Sequence, residues 1–474
     1  MKSFKVKLSA SNDDSFRIDY KYSSFLHKGG WNIFNIKSDE LKPLKEILTP
    51  HYVNFEFDDD IDYFGVPTGS EYLDRFGEIV STQPITKDNH PNRLKYQIDN
   101  NCVLISSLKG AKIPAINFDF DLSNYVFSNG FYVFKVNQNW SKKFILYLLR
   151  TSKIKSIIDN CIYRGIGIST YKEDDLLKIQ IPNISLKRQL EIVAQIQPIE
   201  SEITHLKNIK QKPLDIINQV FAEAFGISLD TLKDLDETRR LNVSVSHLCR
   251  DNSNLRNGIR WSKMQFIQSE LYKNIDCIKV LGNYSLQSNN GWSPLSVENG
   301  GGIPILGQEG FSFDGKLKIE PSKFTEATKN NIDDFFIKQG DFFVSRGNTV
   351  DLVALACIVE EDIMEDIIYP DLYIKVVLDE SSIDKQYLAL VFNSFIGRLY
   401  FKYVAKGKNQ TMVKISSTEL HSFRLPLPNK EQQTAIVEKI KAQIDAQNLI
   451  DQQIEQKQQE INQIIEYAIK ATGN

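Results

Sequence analysis

The sequence has little of several features that mark particular classes of protein. Its five cysteines are scattered, odd in number and without a CxxC pair, which argues against a disulfide framework and for reduced thiols in a cytoplasmic protein. No apolar run reaches the length of about 18 residues that a membrane span needs. The first residues, MKSFKVKLSASNDD, also lack the apolar core of a secretion signal. A cytoplasmic protein with no membrane partner is therefore expected.

A strong net charge is also missing. Lys and Arg number 57 against 60 Asp and Glu, which gives a formal net charge of −3. A basic footprint is the usual mark of a nucleic-acid-binding protein, so this balance argues against tight non-specific DNA binding. It does not argue against sequence choice, because contacts to base edges govern that property. A DNA reader of this composition is expected to bind weakly alone and to need a basic partner.

Sequence motifs of catalysis are missing as well. There is no Walker A motif, and neither motif of an adenine or cytosine methyltransferase occurs: a glycine-rich loop after a strand, or Asn/Asp-Pro-Pro-aromatic. Gly300–Gly302 precedes Ile-Pro, which is typical of a loop entering a strand. Pro370-Asp371 has no acidic-x-Lys triplet within about 30 residues, as a metal-dependent nuclease would require, and the six histidines do not cluster at metal spacing. The sequence therefore predicts no catalytic residue and no metal ligand.

What the sequence does contain is an internal repeat, which governs how a chain of 474 residues is divided. The segment 181–193, IPNISLKRQLEIV, matches 425–437, LPLPNKEQQTAIV, and the same offset carries Gln189 onto Gln433. The same spacing also aligns later residues of the two copies, as far as Ala224 with Ala468.

The match continues upstream with small shifts in offset. The strand-like Cys102–Ser106 pairs with Asp341–Ser345, and Phe131–Val136 pairs with Leu372–Val377. Residues 16–225 and 259–469 are therefore interpreted as two divergent copies of one unit of roughly 210 residues.

Each copy has the same internal order. Short apolar runs broken by Gly, Pro, Asn and Asp predict strands and turns. A helical stretch follows, at Lys142–Asp159 in the first copy and Ile383–Val404 in the second. A glycine-bearing loop, a proline and a long helix complete each copy.

The two long helices are the most regular part of the pattern. Residues 430–470 contain no Gly or Pro, and one seam of residues recurs mostly at three- and four-residue steps, at Ile436, Ile440, Ile444, Gln447, Ile450, Ile454, Ile461, Ile464 and Ala468. About 40 residues at about 1.5 Å each give a rod of about 60 Å. The matching segment 190–225 contains Pro198 and Pro213, which are expected to kink or interrupt it. One apolar seam predicts that each helix packs against its repeat, although two ordinary surface helices are the alternative.

Candidate DNA contacts lie at equivalent places in both copies, after the apolar strand and in the loop before the proline. Arg and Lys read guanine O6 and N7, Asn and Gln read adenine, and glycine allows close approach. The predicted contact residues are Lys109, Lys112, Tyr163 and Arg164 in the first copy, and Arg346, Asn348, Lys406, Lys408, Asn409 and Gln410 in the second. Ordinary solvated loops are the alternative for any single one of them.

The whole pattern resembles the specificity subunit of type I restriction-modification enzymes. The resemblance is carried by Gly340–Arg346 (GDFFVSR), the Gly407–Thr411 loop and Leu425–Gln432 (LPLPNKEQ) at the start of the long helix. The first copy departs from the family, with Asp99–Asn101 where Gly-Asp is usual and Lys187–Gln189 where Glu-Gln is usual. The family's functional residues are therefore matched less closely in the first copy than in the second.

The resemblance implies an α+β fold, with two tandem target-recognition domains of mixed α/β character separated by an antiparallel coiled coil of two long helices. The expected division is a first target-recognition domain at 1–180, a central helix at 181–225, a linker at 226–258, a second target-recognition domain at 259–424 and a C-terminal helix at 425–474.

The resemblance also implies the partners. Double-stranded DNA would be read as a split, asymmetric site, with one half for each domain. Two methyltransferase subunits would bind S-adenosylmethionine and methylate adenine at N6, and restriction subunits would use ATP and Mg to translocate and cleave DNA. The chain itself would hold no cofactor and no metal.

Other functions stay open at this point. The chain could instead be a scaffold whose coiled coil joins two protein-binding domains, or the reader of a related methylation or defence system with a different nuclease. An enzyme whose single site is assembled from both repeats is the third alternative.

Overall fold

The chain forms two units in the computed structural model, which describes residues 31, 40–69, 71–73, 78–108, 115–116, 121–158, 171–238, 259–298, 301–409 and 412–472. The first unit comprises Met1–Ile209 together with Gln452–Asn474, and the second comprises Lys210–Asp451. The C-terminal segment therefore contributes residues to both units.

The first unit combines strands and helices, as the α+β class requires. Its strands are β1 (Leu41–Pro43), β2 (Leu48–Pro50), β3 (Val53–Asn54), β4 (Tyr63–Val66), β5 (Gln83–Ile85), β6 (Leu94–Gln97), β7 (Cys102–Ser106), β8 (Ala115–Ile116), β9 (Tyr125–Ser128), β10 (Phe131–Val136) and β11 (Gln180–Pro182). Its helices include α1 (Lys142–Arg150), α2 (Ser152–Ile157), α3 (Glu173–Leu177) and α4 (Leu186–Ile209).

A four-stranded sheet in the order β2-β10-β7-β8 lies at the centre of this unit. Strand β7 is buried along its whole length, which explains its continuous apolar run in place of an alternating one. Helix α1 packs against β7 and β8. It begins where the Ser141 side chain accepts a hydrogen bond from the Phe144 amide, which satisfies one of the first-turn donors.

A second sheet, in the order β3-β6-β9-β4-β5, distinguishes the first unit. Its strands are antiparallel except for β4 and β9, which pair in parallel. Tyr63, Ile85, Leu94 and Val126 form its own small core. In the described part of the second unit, the strands outside its four-stranded sheet form two- and three-stranded sheets.

The second unit has more described strands than helices. Its strands are β12 (Ile278–Val280), β13 (Ser285–Asn290), β14 (Ile303–Leu306), β15 (Pro321–Thr325), β16 (Phe342–Ser345), β17 (Gly347–Asn348), β18 (Ala356–Ile358), β19 (Tyr373–Leu378), β20 (Lys406–Asn409), β21 (Met412–Lys414) and β22 (Arg424–Pro426). Its helices include α5 (Pro213–Phe225), α6 (Leu229–Glu237), α7 (Ile259–Leu271), α8 (Lys385–Asn393), α9 (Phe395–Val404) and α10 (Ser417–His421), and helix α11 (Lys430–Thr472) starts in this unit.

The central sheet of the second unit repeats that of the first. Its order is β13-β19-β16-β18, and β12 pairs with β22 as β1 pairs with β11. In register, Ser106 lies opposite Phe131 and Ser345 lies opposite Tyr373. The predicted match of Phe131 with Leu372 is therefore wrong by one residue, because an apolar run offers similar residues at successive positions and only the pairing decides the register.

Buried glutamines connect the sheet-and-helix body to the start of a long helix in both units. In the first unit, Gln189 is fully buried. Its Oε1 accepts a hydrogen bond from the Ser141 amide at 2.8 Å, and its Nε2 donates to the Ile184 carbonyl at 2.7 Å. Ser141 is the residue that caps α1, so one side chain links two helix starts.

Gln433 has the same role in the second unit. Its Oε1 accepts from the amide of Asp384, the residue that caps α8, at 2.8 Å. Its Nε2 donates to the carbonyl oxygens of Pro428 and Ser382 at 2.7 and 3.0 Å. The internal repeat, which aligns these two glutamines, is thus confirmed at the level of topology and of hydrogen bonding.

The helical segments follow the sequence pattern with two differences. The stretches predicted at Lys142–Asp159 and Ile383–Val404 are each divided, into α1 and α2 and into α8 and α9. Pro213 interrupts the long segment as predicted, standing at the first position of α5, whereas Pro198 lies inside α4. None of the helices that the structure describes is long and apolar enough to cross a membrane.

Within each unit a part of α11 contacts its repeat. In the second unit Lys210 pairs with Asp451 at 2.8 Å and Glu223 with Lys439 at 2.6 Å, so the two segments run antiparallel. Such exposed ion pairs contribute little stability. The stability comes from the seam, where Ile440 joins the core that contains α5.

In the first unit, the part of α11 from residue 452 pairs with α4 through Lys457 and Glu202. Near the end of the helix Ile465, and not the predicted Ile464, is fully buried. A helical period of about 3.6 drifts away from fixed three- and four-residue steps, which explains the change.

The glutamine link generates a stability prediction. Gln433→Leu keeps a side chain of similar size but leaves the Asp384 amide and two carbonyl groups without partners, so we expect a loss of about 2–4 kcal/mol. Thermal unfolding, together with hydrogen exchange of the peptide that contains Asp384, measures it. The exposed neighbour provides the control, since Gln432→Leu should change stability by less than about 0.5 kcal/mol. Equal unfolding midpoints for the two variants would contradict this role for Gln433.

Candidate nucleic-acid interface

Two of the predicted contact segments flank the same strand in the second unit. Strand β17 pairs with β21, and β21 pairs with β20, to form a three-stranded antiparallel sheet. Arg346 directly precedes β17 and Asn348 belongs to it, while Lys406–Asn409 form β20 on the other side of β21. The segments are distant in sequence, so strand pairing alone makes them one surface. We call this the β17-β21-β20 surface.

Arg346 is held through its main chain on both sides. Its amide donates to the Leu372 carbonyl at 2.7 Å, and its carbonyl accepts from the Ile415 amide at 2.9 Å. Its guanidinium Nη1 donates to the main-chain carbonyl of Asp371 at 3.2 Å and lies 3.6 Å from the carboxylate of the same residue. The side chain is 29% exposed, so it is fixed yet reachable.

Lys406 is paired with a buried acid. Its Nζ lies 2.6 Å from the carboxylate of Glu419, whose side chain is only 2% exposed. That carboxylate also accepts hydrogen bonds from the amide and hydroxyl of Ser416. Burial alone would raise the pKa of Glu419, but the hydrogen bonds from Lys406 and Ser416 outweigh it and lower the pKa to about 2. The charge of Lys406 is therefore compensated within the protein.

Two side-chain amides, those of Asn348 and Gln308, make hydrogen bonds to the main chain at and next to β17. The Asn348 Oδ1 accepts from the Thr349 amide at 2.8 Å, and the Nδ2 of the same side chain is a donor. The Gln308 Nε2 donates to the Gly347 carbonyl at 2.6 Å and supports the strand from its other side.

The remaining predicted contact residues lie outside the described residues. Backbone or side-chain placement is not described for Lys109, Lys112, Tyr163, Arg164 and Gln410, nor are the side chains of Lys408 and Asn409. In the first unit, the structure describes the residue after β7, which comes just before the segment that contains Lys109 and Lys112. Ser107, which follows β7, donates its amide to Gly130 at 2.9 Å, as Arg346 does to Leu372 after β16.

The sequence pattern missed three residues of this surface. Asp371, considered only as part of a nuclease motif, faces Arg346. Ser293 holds Asp371 by a reciprocal pair of hydrogen bonds, and no sequence signal connects two residues so far apart. Lys414 is exposed on β21, and the alternation of buried Val413 with exposed Lys414 is the signal that could have identified it.

Three potential metal ligands come together in the first unit, which the sequence spacing of the histidines did not predict. One atom each of His51, Asp99 and Cys102 lies within 4.8 Å of the others. The Asp99 carboxylate of this cluster already has an ion-pair partner, because the Lys135 ammonium lies 3.2 Å from it. Burial raises the pKa of the Cys102 thiol to about 11.

A cavity of about 570 Å³ lies in the second unit, and its wall combines apolar side chains of α5, α6 and α9 with charged ones. Arg398 is one of these charged groups, and desolvation lowers its pKa to about 9. Its Nε donates to the Phe392 carbonyl at 3.0 Å and its Nη1 to the Val353 carbonyl at 2.6 Å. The guanidinium thus supports the main chain that follows β17.

The Lys406–Glu419 pair generates a pH prediction. Because the folded-state pKa of Glu419 is lowered to about 2 from its ordinary value of 4.5, its stabilisation is complete above the unfolded pKa and is lost as pH falls through the folded pKa. At pH 7, Glu419→Gln should destabilise the protein by about 1.5–3 kcal/mol.

The difference in unfolding free energy between Glu419→Gln and the wild type should shrink by about 1.4 kcal/mol between pH 7 and pH 3.5. Denaturant unfolding at both pH values measures it, with Glu361→Gln as the exposed control. A difference that does not depend on pH would show that Glu419 acts through packing alone.

No protein-family model matches the chain, and no curated protein matches it. Among solved structures, it is similar to one described as giving the structural basis of complex assembly and conformational transition of the type I R-M system, with 15% identity, 92% of this chain and 97% of that chain covered, and a TM-score of 0.40.

It is also similar to the HsdS subunit from Thermoanaerobacter tengcongensis, with 15% identity, coverage of 90% and 96%, and a TM-score of 0.34. The type I restriction-modification system S subunit from M. genitalium shows 11% identity, coverage of 92% and 96%, and a TM-score of 0.37. These identities and TM-scores are low, so the proposed function rests on the residues of this chain.

Proposed function

We propose that this chain is the DNA sequence-specificity subunit of a type I restriction-modification assembly. It reads a split, asymmetric site on double-stranded DNA, one half with each copy of the repeated unit. Its role is to position methyltransferase and restriction subunits, and those partners supply the chemistry with S-adenosylmethionine, ATP and Mg.

The observation that carries the proposal is the duplicated sheet with a basic or polar segment after its buried middle strand. Both β7 and β16 end at a serine, and the next residue leaves the strand through an equivalent main-chain hydrogen bond. Two equivalent readers in one chain suit a target made of two different half-sites. A single active site would not require the same frame twice.

The charge balance supports a division of labour between this chain and its partners. With a net charge of −3, the chain has little capacity for the counterion release that dominates phosphate binding. Base-edge contacts therefore fall to this chain, and much of the backbone contact falls to methyltransferase subunits.

The long helices would serve as the spacer between half-sites. Helix α11 has 43 residues, which corresponds to about 64 Å. That length is compatible with half-sites one to two DNA turns apart, at about 34 Å for each turn. In this proposal α4, α5 and α11 form the antiparallel coiled coil, and the predicted domain boundaries 1–180 and 259–424 delimit the readers.

The proposal predicts a modular change of specificity. When the chain is expressed with its methyltransferase, sequencing that detects N6-methyladenine should reveal one bipartite motif. Exchanging residues 1–180 for the matching region of another specificity subunit should change one half of that motif and leave the other half intact, because each reader contacts its own half-site.

A change in both halves, or in neither, would contradict modular reading. If no DNA motif is methylated and the chain still assembles with other proteins, the scaffold function is correct instead. Methyl transfer by the purified chain alone would show that it holds a catalytic site.

A further inference from the structure

Arg346 belongs to a short hydrogen-bonded series on the β17-β21-β20 surface. The Ser293 hydroxyl donates to Oδ1 of Asp371 at 2.6 Å and accepts from the Asp371 amide at 3.0 Å. With Oδ1 taken by Ser293, it is Oδ2 that faces the Nη1 of Arg346, at 3.6 Å. The series fixes the guanidinium from one side only.

The opposite edge of the guanidinium stays available. Nη1 carries both contacts to Asp371, and no partner of Nε or Nη2 is found among the described residues. Neither of these atoms is among the buried unpaired polar atoms of the structure, so solvent reaches them. The Nε and Nη2 hydrogens lie side by side in the plane of the group and form a two-donor fork.

We propose that Arg346 reads a guanine through this fork, with Nε and Nη2 donating to O6 and N7 in the major groove. The assignment rests on the proposed function and deepens it, because it names one base of the half-site read by the second unit. Guanine presents two acceptors side by side at that edge, whereas adenine presents one acceptor beside a donor.

The same geometry argues against a phosphate contact for Arg346. A carboxylate 3.6 Å from the guanidinium compensates part of its charge and repels an approaching phosphate. A main chain held by Leu372 and Ile415 restricts the side chain, which suits a directional contact more than a diffuse one.

Lys414 offers a contrast within the same small sheet. It pairs in register with Gly347, its side chain is exposed, and no acidic partner is found for it in the described part of the chain. A lysine of this kind suits a sequence-independent phosphate contact. It is therefore the matched control for Arg346.

Asp371 is the positioning residue in this arrangement. It acts on DNA through Arg346, whose fork it orients. Asp371→Asn keeps the main-chain carbonyl contact but removes the charge, so the fork should lose alignment while the fold is retained.

The assignment is tested with the full chain bound to its methyltransferase partner and duplexes that carry the methylated motif. Each guanine of the half-site read by the second unit is replaced in turn by 7-deazaguanine, which removes N7 and retains Watson–Crick pairing. At one position this replacement should weaken wild-type binding about tenfold. Replacing the same G·C pair by A·T should weaken it about ten- to a hundredfold.

Arg346→Ala should bind the guanine and 7-deazaguanine duplexes equally while still requiring the half-site of the first unit, which also shows that the variant folds. Asp371→Asn should reduce the 7-deazaguanine effect without weakening binding to unrelated DNA. Lys414→Ala should weaken all duplexes alike and lower the slope of log affinity against log salt by about 0.9.

A uniform loss of affinity with Arg346→Ala, accompanied by that lower salt slope, would overturn the assignment and make Arg346 a phosphate contact. A half-site without guanine on either strand would also overturn it. Both results leave the proposed function intact, whereas a complex with no sequence-dependent binding would end the proposed function and the guanine assignment together.

Discussion

The burial of one strand in each unit is the constraint on which the rest of the structure depends. Strands β7 and β16 are paired along both edges and have no exposed residue. A strand held in this way cannot shift without breaking two ladders of hydrogen bonds. The residue that follows each strand therefore leaves the sheet at a fixed point, and in the second unit that residue is Arg346. A rigid frame thus fixes the point from which the proposed recognition segment of the second unit departs.

The two units share a frame and differ in what is added to it. The four-stranded sheet, the pairing of β1 with β11 or β12 with β22, and the buried glutamine recur in both. The additions are a five-stranded sheet in the first unit, and the β14-β15 and β17-β21-β20 sheets in the second. The middle strands β7 and β16 of the shared frame are buried, whereas the added sheets include exposed strands such as β3. In the proposed function, such a frame would present a different surface to each half of a split target.

Two cations of the candidate interface are paired with carboxylates of the same chain. Arg346 faces Asp371 and Lys406 faces Glu419, so the described cations that the sequence pattern selected are matched by carboxylates. Matched cations lose affinity for phosphate in general but gain a fixed orientation. This gives a physical reason why a near-neutral chain could choose a sequence well and still depend on partners for affinity.

The sequence alone determined the repeat, the order of elements within each copy and the long C-terminal helix, because periodicity and turn residues act over short distances along the chain. It also selected Arg346 and Lys406. Only the tertiary structure decided that Arg346 lies next to the small sheet that contains Lys406, that Asp371 contacts Arg346, and that the register of β19 differs by one residue from the sequence match. Those facts depend on strand pairing between segments far apart in the chain, and local pattern carries no information about which distant partner a strand or a carboxylate will meet.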